Sequence, residues 1–236
     1  MLELIESKIS NDPSAVLAKN NITTFLNPYS YLTIRDSKKR LDQFDFVMID
    51  GGLLSFLLNK AGIKSKRYSF DMTSLAPIVF NYSLQNSKSI YFIGAKQEEI
   101  TAAVEHITGK YPAINIVGYR NGYLSAEEQS YELKNIAKKN PDIVVVGMGV
   151  GRQEDFLIAL KNTNLWKGAG FSCGGFFHQT AKRGVGYYPP IFNRLNLRWL
   201  YRMIDEPALI KRYFLYYPYF IVIFFYDVIK YKLKRK

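Results

Sequence analysis

One rhythm constrains this chain more than anything else in it. Short apolar runs stop at a glycine and give way to polar or amphipathic stretches. FDFVMI (Phe44 to Ile49) ends in Asp50-Gly51-Gly52, and SIYFI (Ser89 to Ile93) ends in Gly94-Ala95. INIV (Ile114 to Val117) ends in Gly118, and Ile143 to Val146 ends in Gly147. Between them, Gln97 to Thr108 and Ala126 to Lys139 read as helices, the second behind an N-cap at Ser125, and Pro141-Asp142 marks the turn into the next strand. Buried strands alternating with helices predict an α/β fold, a Rossmann-like, mostly parallel sheet flanked by helices. Ligands of such sheets sit outside the strands' carboxyl ends. Asp50, Gly94, Gly118 and Gly147 to Gly151 are therefore expected along one edge.

The net charge of +12 is unevenly placed. From Lys182 to Lys236 there are 12 Lys/Arg against 3 Asp/Glu, whereas the first 181 residues carry 20 against 17. Basicity belongs to the tail, and points to nucleic acid, an anionic membrane or a phosphorylated ligand. A division follows: an α/β core over 1–190 and a basic, aromatic-rich helical appendage over 191–236. The single cysteine, Cys173, rules out an intrachain disulfide and fits a reducing compartment. The start, MLELIESKIS, lacks the pattern of a secretory signal.

Within the tail, Arg194, Arg198 and Arg202 stand four apart, on one face of a helix. After Lys211-Arg212 comes an uncharged run, YFLYYPYFIVIFFY (Tyr213 to Tyr226), and then a lysine-rich end. Fourteen helical residues rise about 21 Å, short of the roughly 30 Å hydrocarbon core, and Pro218 is expected to interrupt them. An interfacial anchor on an anionic leaflet fits this pattern; so does a buried last helix with a solvated basic end.

VVVGMGVGRQEDF (Val144 to Phe156) joins a β-branched strand to a glycine loop. A dinucleotide fingerprint needs G-x-G-x-x-G, but the third required position is Arg152, and no G-x-x-x-x-G-K-[ST] occurs. The loop can still present backbone N–H groups to a phosphate, with Gln153-Glu154 in the first turn of the next helix; alternatively it is only a packing turn. Asp50, a carboxylate at a strand end beside glycines, suits a general base or a turn. Asp71 is a second candidate, and Gly174-Gly175 is a further strand-to-helix turn. A metal site is not expected: His106 and His178 stand far apart, and no CxxC, DxD or HExxH appears.

Taken in order, Asp50-Gly51, Phe70-Asp71-Met72, IYFIGAKQEEI (Ile90 to Ile100), NIVGYRNGYL (Asn115 to Leu124), VVVGMGVGRQEDF, Gly174-Gly175 and LRWLYRMIDEPALIKR (Leu197 to Arg212) resemble the WecG/TagA/CpsF glycosyltransferases. The resemblance runs from about Ile22 to Arg212. It implies inverting, metal-independent and cofactor-free transfer of a sugar from a nucleotide-diphosphate donor, usually UDP-linked. The implied acceptor is a polyprenyl-diphosphate-linked sugar at the cytoplasmic face of the bacterial plasma membrane, in teichoic acid, surface antigen or exopolysaccharide synthesis.

The same resemblance makes Asp50 the base. It assigns Asn27, Gly51, Gly94, Gly122, Tyr123, Gly147, Gly149, Arg152, Gln153, Glu154, Gly174 and Gly175 to the donor, and Arg194, Arg198, Arg202 and Arg212 to the acceptor diphosphate. It implies an anionic membrane surface as partner and leaves open whether a second copy or a closing tail completes the site. Departures from the family pattern cluster around the expected pocket: His178 where an Asp is common, Tyr187-Tyr188-Pro189 for Arg-Ala-Pro, Ser69 for Gly and Phe25 near Asn27. The competing class is a basic nucleic-acid-binding protein. There, cations would interleave with aromatics along a groove, whereas here they flank one continuous aromatic run, so no nucleic-acid partner is expected.

Overall fold

The computed structural model describes residues 1–35, 37–186 and 198–235. Its strands are β1 (Ile22–Leu26), β2 (Phe46–Ile49), β3 (Ser89–Gly94), β4 (Asn115–Arg120), β5 (Ile143–Gly147) and β6 (Ala169–Ser172). They form one sheet in the order β2-β1-β6-β5-β3-β4, every pair parallel. The central strands β1 and β5 are buried along their whole length, as a sheet covered on both faces requires.

The helices are α1 (Leu2–Lys8), α2 (Pro28–Arg35), α3 (Lys38–Asp42), α4 (Gly52–Lys60), α5 (Leu75–Gln85), α6 (Gln97–Lys110), α7 (Ala126–Lys139), α8 (Arg152–Asn162) and α9 (Phe176–Arg183), then α10 (Arg198–Asp205) and α11 (Tyr217–Leu233) in the tail. Ser125 caps α7 as its sequence predicts: its hydroxyl accepts from the Glu128 N–H, and Glu128 accepts from the Ser125 N–H. Phe80, Phe92, Phe171, Phe176 and Phe177 form the core beneath α5, α6 and α9. Tyr91, Phe156 and Trp166 pack on the opposite face with α7 and α8.

Three expectations change. Gly118 does not end its strand, because β4 runs on to Arg120. A side chain at Gly118 would meet the Tyr91 ring, whose hydroxyl reaches across to Glu132. Gly122 takes the edge position instead. Pro218 does not interrupt the aromatic run but lies in the first turn of α11, where its missing N–H is tolerated. The preceding residues, Arg212–Tyr216, form a single π-helical turn, the form in which this rare helix mostly occurs.

Nor is the run uniformly anchor or uniformly core. Phe220, Phe224 and Tyr231 join Leu2, Ile5, Tyr31 and Leu54 in a core cluster. Asp227, on the same face, accepts from Tyr31 Oη at 2.7 Å and from Arg35 Nε and Nη2 at 2.8 and 2.9 Å. The opposite face exposes Tyr219, Val222, Phe225, Tyr226, Ile229 and Leu233. Among the described residues, no helix is long and apolar enough to cross a membrane.

Candidate active site

All six strands deliver residues to one cleft of about 1290 Å³ along the carboxyl edge of the sheet. A large single-ligand pocket reaches about 1,000 Å³, so this cleft has room for more than one group. Asn27 follows β1, Asp50-Gly51 follow β2, Ala95 follows β3 and Gly122-Tyr123 follow β4. Gly147 to Arg152 follow β5, and Gly174-Gly175 follow β6. The strand ends approach closely: a Cβ on Gly94 would collide with the Gly147 carbonyl, and one on Gly122 would lie 2.9 Å from the Gly94 Cα. Gly94 itself therefore serves the packing beneath the cleft rather than its lining.

Asp50 is the carboxylate of the cleft lining whose pKa is raised. Desolvation pushes its pKa up from 3.8; Arg67 opposes this, Asp71 reinforces it, and Arg202 and a hydrogen bond from Asn27 oppose it. Asn27 is oriented for that bond because its Oδ1 already accepts from the N–H groups of Tyr29 and Ser30, both at 3.0 Å, which turns its amide nitrogen toward Asp50. A raised carboxylate can hold a proton taken from a sugar hydroxyl, which is what a base needs.

Asp71 is differently placed. Its oxygens accept from Ser69 Oγ at 2.6 Å, from the Thr73 N–H at 2.8 Å and from Thr73 Oγ1 at 2.5 Å, and Arg67 Nη2 stands 3.6 Å away. These donors occupy both of its oxygens. Of the two candidate carboxylates, Asp50 is the one whose surroundings suit proton abstraction.

The tail forms the opposite wall. Arg202, Glu206, Arg212, Tyr213 and Tyr217 all line the cleft, and a Cβ on Gly175 would lie 3.7 Å from Arg202 Nη2. Tyr213 and Tyr217 hydrogen-bond to each other, and both phenols are shifted upward, first by burial and then by charges that include Asp50. Arg212 stacks over Tyr29 with its guanidinium carbon 4.2 Å from the ring centre.

At the far end, Arg152 Nη2 donates to the Gly122 carbonyl at 3.2 Å, and His178 Nδ1 pairs with Glu99 Oε1 at 2.7 Å. Burial works against the charge on Glu99, but the Lys96 N–H and His178 together hold its pKa down.

Of the expected donor-site residues, Asn27, Gly51, Gly122, Tyr123, Gly147, Gly149, Arg152, Gln153, Gly174 and Gly175 line the cleft. Gly94 and Glu154 lie behind it, Glu154 being 1% exposed. Arg202 and Arg212 reach the cleft. Arg194 and the Tyr187-Tyr188-Pro189 stretch fall outside the described residues, and Arg198 is placed only as the first residue of α10. Among the described residues, no three His, Cys, Asp or Glu side chains group so as to hold a metal ion.

A sequence model of the glycosyl transferase WecG/TagA/CpsF family matches residues 3–236. The chain belongs to that family. It is 45% identical over 208 residues to the UDP-Gal:α-D-GlcNAc-diphosphoundecaprenol β-1,4-galactosyltransferase of Shigella boydii, covering 86% of this chain and 85% of that one. It is 30% identical over 197 residues to the N-acetylglucosaminyldiphosphoundecaprenol N-acetyl-β-D-mannosaminyltransferase of Bacillus subtilis strain 168, covering 81% and 74%. The enzyme of the same name from Bacillus spizizenii is 30% identical over 176 residues, covering 73% and 65%. This protein is thus a glycosyltransferase of cell-envelope polysaccharide synthesis.

For a WecG/TagA/CpsF enzyme, the cleft contains groups that sequence reasoning passed over. Arg67 precedes the Ser69–Asp71 turn and faces Asp50. Tyr213 and Tyr217 sat inside an aromatic run that reads as anchor. Their four-residue spacing, about one helical turn, was the available signal.

Proposed function

We propose that this enzyme transfers a hexose, with inversion, from a UDP-linked donor to the sugar of a polyprenyl-diphosphate-linked acceptor. In this reading Asp50 takes the proton of the acceptor hydroxyl as that oxygen attacks the anomeric carbon. The bond from that carbon to the donor phosphate breaks, and the negative charge passes to the leaving nucleoside diphosphate. Arg152, which follows the Gly147 to Gly151 turn and lines the cleft, stabilises that charge in place of a metal. Arg202 and Arg212 receive the acceptor diphosphate, with planar guanidinium groups suited to bidentate phosphate binding.

The observation that carries this reading is the meeting of two parts of the chain in one cleft. A desolvated carboxylate from the sheet edge faces arginines and phenols from the basic tail. The relatives add chemical support: each is named for an acceptor of the GlcNAc-diphosphoundecaprenol type, and the Shigella enzyme for a UDP-Gal donor and a β product. A β linkage made from an α-linked nucleotide sugar is an inversion.

The reading also places the enzyme at the inner face of the plasma membrane as a peripheral protein. The outer face of α11 is apolar and aromatic, and Lys211, Lys230, Lys232, Lys234 and Arg235 flank it. Such a surface suits an anionic leaflet and would bring the cleft to an acceptor that stays in the bilayer. We treat 1–190 as the catalytic core and 191–236 as the appendage that walls the cleft. The chain's own tail supplies Arg202 and Arg212 to the cleft.

Thermal melting with UDP, UDP-galactose, UDP-N-acetylmannosamine, GDP-mannose and a short oligonucleotide side by side tests the donor. Stabilisation by UDP and a UDP-hexose is expected. Stabilisation by GDP-mannose or the oligonucleotide alone overturns the reading.

A further inference from the structure

Directly behind the cleft lies a carboxylate that the chemistry above leaves unused. Glu154, in the first turn of α8, is almost wholly buried, with hydrogen-bond donors on both oxygens. Its Oε2 accepts from the Gly151 N–H at 2.6 Å. Its Oε1 accepts from Thr24 Oγ1 at 3.0 Å and from Gln153 Nε2 at 2.9 Å. Since Thr24 spends its one hydroxyl hydrogen on Glu154, Ser172 Oγ, 3.1 Å away, donates to Thr24. Gln153 Oε1 in turn accepts from the Gly174 N–H at 3.1 Å.

Two backbone donors fix the direction of the relay: the Gly151 N–H can only donate, to Glu154 Oε2, and the Gly174 N–H can only donate, to the Gln153 amide oxygen. Only one orientation of the Gln153 amide satisfies this. The Gly151 N–H, which the sequence offered to a phosphate, is already committed to Glu154, and the positive end of α8 already carries a carboxylate. Gln153, which lines the cleft, keeps one amide hydrogen for a ligand.

We propose that Glu154 is a positioning residue. By accepting from Gly151, Thr24 and Gln153 together, it fixes the orientation of the Gln153 amide and joins the turns after β5 and β6 into one surface for the diphosphate of the nucleotide-sugar donor. The ligand named here rests on the glycosyl-transfer reading; the hydrogen-bond relay does not.

Glu154→Gln breaks the relay whichever way it sits. If its oxygen faces Thr24 and Gln153, its NH2 confronts the Gly151 N–H. If its oxygen faces Gly151, its NH2 turns the Gln153 amide over, and the Gly174 N–H then confronts an NH2. The reciprocal swap Gln153→Glu/Glu154→Gln restores an acceptor for both glycine N–H groups.

The test has two arms. In ¹⁵N-labelled, ligand-free protein, the Gly174 amide resonance is expected to move in Glu154→Gln as far as it does in Gln153→Ala, and to return toward its wild-type position in the swap. A shift confined to Gly151 overturns the relay, as does a swap that melts no higher than Glu154→Gln. With UDP-galactose and a lipid-linked GlcNAc acceptor, Glu154→Gln is expected to raise the donor KM at least tenfold. The acceptor KM should change less than threefold. Glu154→Gln/Gln153→Ala should be no worse than Gln153→Ala alone. Losses that multiply, or an unchanged donor KM, overturn the positioning role. If wild-type protein transfers nothing, the glycosyl-transfer reading has failed, and the resonance arm still decides the relay.

Discussion

Arg35 holds Asp227 with two hydrogen bonds, Nε to Oδ2 at 2.8 Å and Nη2 to Oδ1 at 2.9 Å, and so ties the last helix to the first βα unit. The pair is largely enclosed, with side-chain exposures of 24% and 8%, and Tyr31 completes it from the same side. It sets the register in which α11 presents its outer face to solvent and the preceding turn presents Tyr213 and Tyr217 to the cleft.

Removing one partner of such a pair leaves the other desolvated. Asp227→Ala is therefore expected to destabilise the protein by about 2–3 kcal/mol, below the 3–5 of a fully buried pair because Arg35 keeps some solvent. Urea unfolding measures this. Burial works against the Asp227 charge, but Arg35 and Tyr31 outweigh it and hold the folded pKa below 3.8. A depressed carboxylate contributes stability above its unfolded pKa and loses it as pH falls through the folded value. Asp227→Asn should accordingly flatten the acid limb of the stability curve below about pH 4; an acid limb as steep as that of wild type contradicts the assignment.

Asp50 has the opposite sign. Its folded pKa is raised, so the ionised form lowers stability once pH exceeds the ordinary carboxylate value. Asp50→Asn should raise Tm at pH 7.5 by a few degrees, about what 1 kcal/mol gives a chain of this size. By the same shift, kcat/KM of the wild-type enzyme should fall on the acid side with a midpoint above 3.8. A variant that melts lower than wild type counts against a strained base at this position.

The tail arginines are expected to act on the acceptor. Arg202→Lys keeps the charge but loses the planar fork, so it should raise the acceptor KM about tenfold with the donor KM little changed. Steady-state kinetics in both substrates separates these, and a rise confined to the donor KM reassigns Arg202 to the leaving group.

The outer face of α11 gives a membrane prediction that does not disturb the core. Val222→Asp/Ile229→Asp alters side chains that are 66% and 59% exposed. It should abolish co-sedimentation with phosphatidylglycerol vesicles while leaving Tm within a degree or two. Phe224→Ala, one residue type away but on the packed face, should cost about 3–5 kcal/mol. Deleting everything after Tyr213 mixes the two effects and tests neither. Unchanged vesicle binding by the double variant removes the anchor from the account.

The alternation of glycine-ended apolar runs made the parallel sheet legible, and the Ser125 cap located α7 to the residue. The strand ends then put Asp50 and Gly147 to Gly151 on one edge. What stayed hidden did so for physical reasons. β1 carries two threonines, Thr23 and Thr24, and β6 is only four residues long, so neither shows a long apolar run. Gly118 mimicked a strand end because a tyrosine ring, not a turn, required the glycine. α11 is apolar on both its packed and its outer faces, which erases the periodicity that separates core from surface. Asp227, the residue after the run, faces inward to Arg35. Glu154 looked like a phosphate-side residue because the sequence does not reveal that its own N-terminal turn consumes it.

The most direct test of the central claim is transfer from UDP-galactose to a GlcNAc-diphospho-polyprenol by wild-type and Asp50→Asn protein, with product linkage read by NMR. The account predicts a β-linked disaccharide from wild type and a loss of roughly 10²–10⁴-fold in kcat for the variant, as expected when a general base is removed, in protein that melts no lower. An Asp50→Asn enzyme with near-wild-type turnover, or an α-linked product, would contradict it.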